Sequence, residues 1–199
     1  MSSVIAQQKK ELRARLRKNR SNIDPQISAS ASASLVKRLQ QLPEYQQARR
    51  VACFFSFDGE INTAPLIKTI IQQKDLCYLP RLRPTKPSRL WFLPFDGQSP
   101  LAPNRFGINE VDLPINHSIG VSRLDLILMP LVAFDIYGNR LGMGGGFYDA
   151  TLAHLKTNGS KHPVCIGLAY QLQQVARLPV ESWDFKMDGV LTEEKFYPG

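Results

Sequence analysis

Cysteine is scarce. The 199 residues hold three, Cys53, Cys77 and Cys165. Each sits inside an apolar run, and no two have redox or metal-ligand spacing. An odd, unpaired set fits a reducing compartment and small buried side chains rather than a disulfide framework. Histidine is equally sparse. His117, His154 and His162 show no H-E-x-x-H or related spacing, which argues against a zinc site. No apolar stretch reaches the length of a bilayer span. The N-terminus lacks the apolar core of a signal peptide. A cytoplasmic protein with no membrane partner is therefore expected. Also absent are a G-x-G-x-x-G opening a first strand and a G-x-x-x-x-G-K-[ST] loop, so a standard dinucleotide fold and a Walker-type ATPase are rejected.

What is present is positive charge and glycine. The net charge is +8, with 43% hydrophobic residues. That balance suits an anionic ligand and leaves room for a sizeable core, so one domain spanning 1–199 is expected. Ala6 to Arg20 reads as a basic helix, with Lys9, Arg13, Arg17 and Arg20 on one face at four- and three-residue steps. Most such charge runs are solvated faces. A polyphosphate clamp and a nucleic-acid arm are the functional alternatives.

Hydrophobic period divides the remainder. Asp24-Pro25 is a helix start, and Ile27, Ala31, Leu35, Leu39 and Leu42 carry that helix through the Ser/Ala-rich stretch 28–34. Arg50 to Phe57 reads as a buried strand, with Glu60 just beyond it. Thr63 to Lys74 is helical, Leu76 to Leu79 and Leu90 to Leu93 are strands, and Pro80 to Arg89 is a loop. Pro94 to Gly120 is proline-rich and irregular, with Phe106 read first as a core plug. Leu124 to Pro130 and Val164 to Ala169 are buried strands. Tyr148 to Lys156 is a helix closing near Asn158-Gly159. About six strands alternating with three or four helices predict an α/β fold, its mainly parallel or mixed central sheet covered by helices on both faces.

The richest segment is Asn139 to Asp149, Asn-Arg-Leu-Gly-Met-Gly-Gly-Gly-Phe-Tyr-Asp, in which four of eleven residues are glycine. It follows a strand and precedes a helix, an order that turns backbone N–H groups toward an anion. Glycines alone are weak evidence. Arg140 at the entrance and Asp149 in the first helical turn add a group for phosphate and a group for a metal ion.

With these residues in view, the chain resembles the 5-formyltetrahydrofolate cyclo-ligases, also called 5,10-methenyltetrahydrofolate synthetases. The resemblance rests on Arg140 to Asp149, preceded by Leu126-Ile-Leu-Met-Pro130 and Phe134-Asp135. Phe55 to Glu60, Lys9 to Arg13, Phe106-Gly-Ile108 and Asp184 to Asp188 support it. It implies an ATP- and Mg²⁺-dependent ligase that converts 5-formyltetrahydrofolate to 5,10-methenyltetrahydrofolate with release of ADP and phosphate.

By the same resemblance, Lys9, Lys10, Glu11, Leu12 and Arg13 form one wall of the ATP site. Arg140, Leu141, Gly142, Met143, Gly144, Gly145, Gly146, Phe147 and Tyr148 form the phosphate cradle, Arg140 being the catalytic residue. Phe55, Glu60 and Phe147 contact the folate, and Asp149 and Asp184 hold Mg²⁺, with Asp188 the alternative to Asp184. Gly145 stands where several relatives carry lysine, and Phe147 where many carry tyrosine. The partners implied are small molecules, with a monomer as the working unit. The competing expectations are a basic nucleic-acid-binding protein and, on Glu60 alone, an isomerase- or CoA-transferase-like enzyme.

Overall fold

The computed structural model describes residues 2–74, 76–83, 89–156 and 163–199. In chain order the helices are α1 (Ser2–Ser21), α2 (Pro25–Gln41), α3 (Pro43–Gln47), α4 (Ala64–Lys74) and α5 (Phe147–Leu152). The strands are β1 (Val51–Ala52), β2 (Cys77–Leu82), β3 (Leu90–Phe95), β4 (Leu101–Pro103), β5 (Asn109–Val111), β6 (Leu126–Pro130), β7 (Ala133–Phe134), β8 (Arg140–Leu141), β9 (Val164–Leu168), β10 (Gly189–Leu191) and β11 (Phe196–Pro198).

Seven strands form the central sheet, in the order β11-β10-β9-β6-β1-β2-β3. The five inner strands are parallel and the two edges antiparallel. Alternating residues feed two cores. Val51, Leu126 and Leu128 face a layer built by Leu35 and Leu39 of α2 with Leu66 and Ile70 of α4. Ala52, Ile127 and Met129 face Leu152 of α5 and Leu155. Helices therefore cover both faces, as the hydrophobic runs require of a parallel sheet. The expected α/β class is what the chain adopts. No described helix is long and apolar enough to cross a membrane.

Strand order sets a switch point in the sheet. From β1 the chain winds outward to β2, then returns to β6 on the other side of β1 and continues outward to β9 and β10. The direction reverses between β1 and β6, and ligands in open α/β sheets bind beyond the carboxyl ends at such a switch point. The segment leaving β1 carries Phe55 and Glu60. The segment leaving β6 carries the glycine loop.

Several expectations at this level hold. Asp24 caps α2, its Oδ1 accepting from the Gln26 N–H at 2.7 Å, with Pro25 at the first helical position. The Ser/Ala stretch is helical throughout. All three cysteines are buried and free.

Others are corrected. The strand predicted over 50–57 is two residues long, because β1 pairs with both neighbours only at Val51 and Ala52. Past Tyr78, β2 therefore has no β1 partner, and Pro80 is tolerated in a strand read as ending at Leu79. The stretch predicted irregular holds a hairpin, β4 and β5, closed by Asn104, whose Oδ1 accepts from the N–H groups of Phe106 and Ile108. The helix expected over 148–156 is six α-helical residues followed by a 3-10 turn, Ala153–Lys156. Its expected end at Asn158-Gly159 lies outside the described residues.

Candidate active site

The glycine loop leaves β8, which is pinned by antiparallel pairing to β7. Leu141 is buried, whereas residues 143–146 are exposed. Gly144 and Gly146 adopt left-handed backbone, φ 101° and 64°, which an L side chain resists. Among the described residues, no acceptor meets the N–H groups of Met143, Gly144, Gly145 or Gly146. A Cβ added to Gly142 or Gly146 would meet no atom within 4 Å. These two glycines are thus not packing spacers. The helix that follows is too short for its dipole to carry the anion argument, so the free amides must.

Arg13 of α1 lies against this loop. Its Nε donates to the Gly142 carbonyl at 2.8 Å, and its guanidinium carbon lies 3.7 Å from where a Gly144 Cβ would stand. Burial lowers its pKa, and Asp184 opposes that shift. Lys9, one turn earlier, is 8% exposed. Its Nζ reaches Asp184 Oδ2 at 2.7 Å and Glu181 Oε2 at 3.1 Å. The other predicted residues of this wall turn away: Lys10 and Glu11 are exposed, Glu11 accepting from Gln7 at 2.7 Å, and Leu12 packs in a satellite core with Val132, Leu141 and Leu178. The helix face read first as solvated is buried at both ends, with only Arg17 of the four cations exposed.

Arg140, expected to meet phosphate at the loop entrance, has protein partners. Its side chain is 4% exposed; Nη1 donates to the Phe185 carbonyl at 2.6 Å, and Nη2 to Asp149 Oδ1 at 2.9 Å. It is a tether between the loop and the chain around Phe185. Asp149 Oδ1 also accepts from the Phe185 N–H at 3.1 Å, which brings Asp149 next to the Asp184–Phe185 link. Asp188 serves elsewhere: its Oδ2 accepts from the Cys165 N–H at 2.7 Å, at the entry to β9.

Among the described residues there is no cluster of three or more metal-type side chains. The available donors are Asp149 and Asp184, about one-third and one-quarter exposed. Two hard carboxylates fit Mg²⁺, which completes its octahedron with waters and phosphate oxygens, and do not fit an all-protein cage.

On the β1 side, Phe55, Ser56, Phe57, Thr63, Ala64, Gly107, Ile108 and Asn109 line a cavity of about 220 Å³. Phe55 stands edge-on to Phe95 at 5.7 Å. Phe106, read first as a core plug, is 47% exposed and touches Phe147 edge-on at 6.0 Å, joining the β4–β5 hairpin to the glycine loop. The Phe147 ring occupies the space over Gly145, where an added Cβ would fall 2.5 Å from it. The bare glycine at 145 lets the ring fold down there. A larger hollow of about 470 Å³, lined by Gln8, Glu11, Arg15 and Arg177, lies on the outer flank of α1 and has no glycine-loop residue.

Glu60 is no exposed loop acid. Its side chain is 11% exposed, 3.9 Å from the Arg20 guanidinium, and Oε2 accepts from the Phe57 N–H at 3.0 Å. Burial pushes its pKa up to about 7 against the pull of Arg20. The Tyr148 hydroxyl is buried with no hydrogen-bond partner among the described residues. Burial drives its pKa well up, with Cys53 and Glu60 adding to the rise and Arg140 opposing it. An orphaned buried hydroxyl that feels the charges of Glu60 and Arg140 fits a site completed by a ligand or water. From the sequence Arg20 is read only as one cation of the basic face, and neither Asp58 nor Glu181 is singled out.

Comparisons with known proteins place the chain in a family. The family model described as the 5-formyltetrahydrofolate cyclo-ligase family matches residues 5–193. The 5-formyltetrahydrofolate cyclo-ligase of Haemophilus influenzae is 41% identical over 185 residues, covering 93% of this chain and 97% of that one. Its counterpart in Escherichia coli K12 is 40% identical, covering 92% and 98%. The NMR structure of 5,10-methenyltetrahydrofolate synthetase from Aquifex aeolicus superposes with a TM-score of 0.81 at 28% identity, covering 96% of this chain and 92% of that one. A Mycoplasma pneumoniae structure at 18% identity and TM-score 0.70 shares the fold. On the match over nearly its whole length, the chain belongs to the 5-formyltetrahydrofolate cyclo-ligase family.

Proposed function

We propose that this ligase takes ATP and Mg²⁺ to close 5-formyltetrahydrofolate into 5,10-methenyltetrahydrofolate, releasing ADP and phosphate. The observation that carries the reading is the open glycine loop, four consecutive amides without acceptors among the described residues, with Arg13 against it and Lys9 one helical turn away. Free amides and two cations make a polyphosphate cradle. Lys9 and Arg13 take the phosphate role first given to Arg140, which holds the loop and Asp149 in place.

The chemistry asks for alignment and charge neutralisation rather than a protein nucleophile. The formyl oxygen attacks the γ-phosphorus and ADP leaves. The second folate nitrogen then attacks the formyl carbon, the C–O bond breaks, and phosphate departs as that nitrogen loses its proton. Mg²⁺, when bound to Asp149 and Asp184, neutralises phosphate charge. Glu60 accepts hydrogen bonds from the pterin, while Phe55, Phe106 and Phe147 wall it off from water. The Tyr148 hydroxyl is the buried donor on the folate side of the loop.

The nucleic-acid reading loses two of the cations of α1, because Lys9 and Arg20 are buried in ion pairs. The working unit is read as a cytoplasmic monomer. The test is to mix the protein with ATP, Mg²⁺ and 5-formyltetrahydrofolate and follow the methenyl product by absorbance. Product and ADP in equal amounts are expected; no product at high enzyme concentration overturns the reading.

A further inference from the structure

Helix α1 reaches both halves of the cleft, and its last buried residue does work that the phosphate site does not require. The Arg20 side chain is 1% exposed. Nε and Nη2 donate to the Asp58 carbonyl at 3.0 and 2.7 Å, Nη2 to Asp58 Oδ2 at 3.0 Å, and Nη1 to the Leu131 carbonyl at 3.3 Å. One guanidinium thus joins the chain leaving β1 to the chain leaving β6 across the switch point.

The turn it grips is strained. Asp58 has φ 54° and Gly59 φ 72°, two successive residues in left-handed backbone, and Asp58 is the one non-glycine residue at positive φ among those described. Such a conformation in a non-glycine residue persists only where its surroundings hold it. Here the holder is Arg20 from inside, with Arg17 forming a fork on the same carboxylate from outside at 2.8 and 3.1 Å. Gly59 also packs under the end of α1, where an added Cβ would fall 3.5 Å from the Arg20 carbonyl. Glu60 follows directly.

We infer that Arg20 is a positioning residue for folate binding: it locks the Asp58–Gly59–Glu60 turn against the glycine-loop side of the cleft and so sets where the Glu60 carboxylate stands. This rests on the reading of Glu60 as a folate contact. The groups facing Glu60 are Arg20 from α1, Asp58 from its own turn and Tyr148 from α5. Lysine cannot replace the fork, because a point charge cannot serve the Asp58 and Leu131 carbonyls in one geometry.

The experiment measures KM for each substrate, and the pH midpoint of kcat/KM for 5-formyltetrahydrofolate, in wild type, Arg20→Lys and Arg20→Gln. Wild type must turn over; if it does not, the cyclo-ligase reading fails and not this inference. Both variants are expected to raise the folate KM roughly tenfold or more while the ATP KM stays within about twofold. Arg20→Gln also moves the midpoint upward, because the cation that favours ionised Glu60 is gone, whereas Arg20→Lys leaves it near the wild-type value. If Arg20→Gln does not fold, Asp58→Asn replaces it. That variant raises the folate KM with Arg20 intact, and moves the midpoint downward by removing a negative neighbour. Unchanged KM values with only a lower Tm, or equal rises for both substrates, overturn the inference and leave Arg20 a plain stability residue.

Discussion

At its N-terminal end α1 meets the glycine loop through Arg13, on a loop carbonyl beside amides open to solvent, and meets Glu181 and Asp184 through Lys9, all contacts a ligand can take over. At its C-terminal end the same helix meets the Glu60 turn through Arg20, buried and satisfied by protein acceptors. Both ends are basic and both Lys9 and Arg20 are buried, so neither composition nor burial separates them; their acceptors do. Lys9 is held by two carboxylate side chains, Arg20 by the backbone carbonyls of Asp58 and Leu131 as well as the Asp58 carboxylate. A cation held by side chains can exchange them for phosphate. A buried guanidinium with its acceptors in place cannot, since removing one partner of a buried pair leaves a charge stranded at about 3–5 kcal/mol. The open end suits a substrate that arrives charged and leaves changed. The sealed end suits a carboxylate that must stay in one place.

The sharpest break of that contrast is Asp149→Asn. If Asp149 belongs to the open end as a Mg²⁺ ligand, turnover falls about 100-fold or more, with far-UV circular dichroism retained. Unchanged turnover would make it only the counter-ion of Arg140. Next is Lys9→Met, expected to raise the ATP KM roughly tenfold and spare the folate KM, the mirror image of the Arg20 variants. Steady-state kinetics with each substrate varied separates the two patterns.

Two glycines probe the same distinction in backbone. Gly138, at φ 78° with a would-be Cβ 2.8 Å from the Met187 carbonyl, is structural, and Gly138→Ala is expected to lower stability by about 2 kcal/mol. Gly142, with nothing within 4 Å, is free to change: Gly142→Ala keeps Tm within about 1 °C and lowers turnover a few-fold, if the loop cradles phosphate.

The smallest effect concerns pH. Because burial raises Glu60 to about 7, the folded state holds its proton more tightly than the unfolded chain does. The stability this contributes is full below the unfolded pKa of about 4.3 and is lost as pH rises through about 7. Glu60→Gln is therefore expected to flatten the fall in Tm between those two values. Parallel Tm curves for variant and wild type would show that Glu60 is not buried in solution.

Much of this was legible in one dimension. The alternation of Val51 with Ala52, and of Leu126 and Leu128 with Ile127 and Met129, announces a sheet covered on both faces, because side-chain direction in a strand has period two. Gly144 and Gly146 announce a backbone that other residues resist. The hairpin of β4 and β5 was not legible, since its strands are short and its turn depends on Asn104 bonding its own neighbours. Nor was the direction of Arg140, whose partners Phe185 and Asp149 lie 45 and 9 residues away.

By itself the sequence determined the α/β class, the two-sided core, the glycine loop and the family, all of which depend on local period and on residues adjacent in the chain. Only the tertiary structure decided which acceptors each basic residue meets. Lys9 and Arg20 look alike in the sequence. Their difference is set by acceptors more than 30 residues distant, brought within hydrogen-bond reach by the reversal of strand order between β1 and β6.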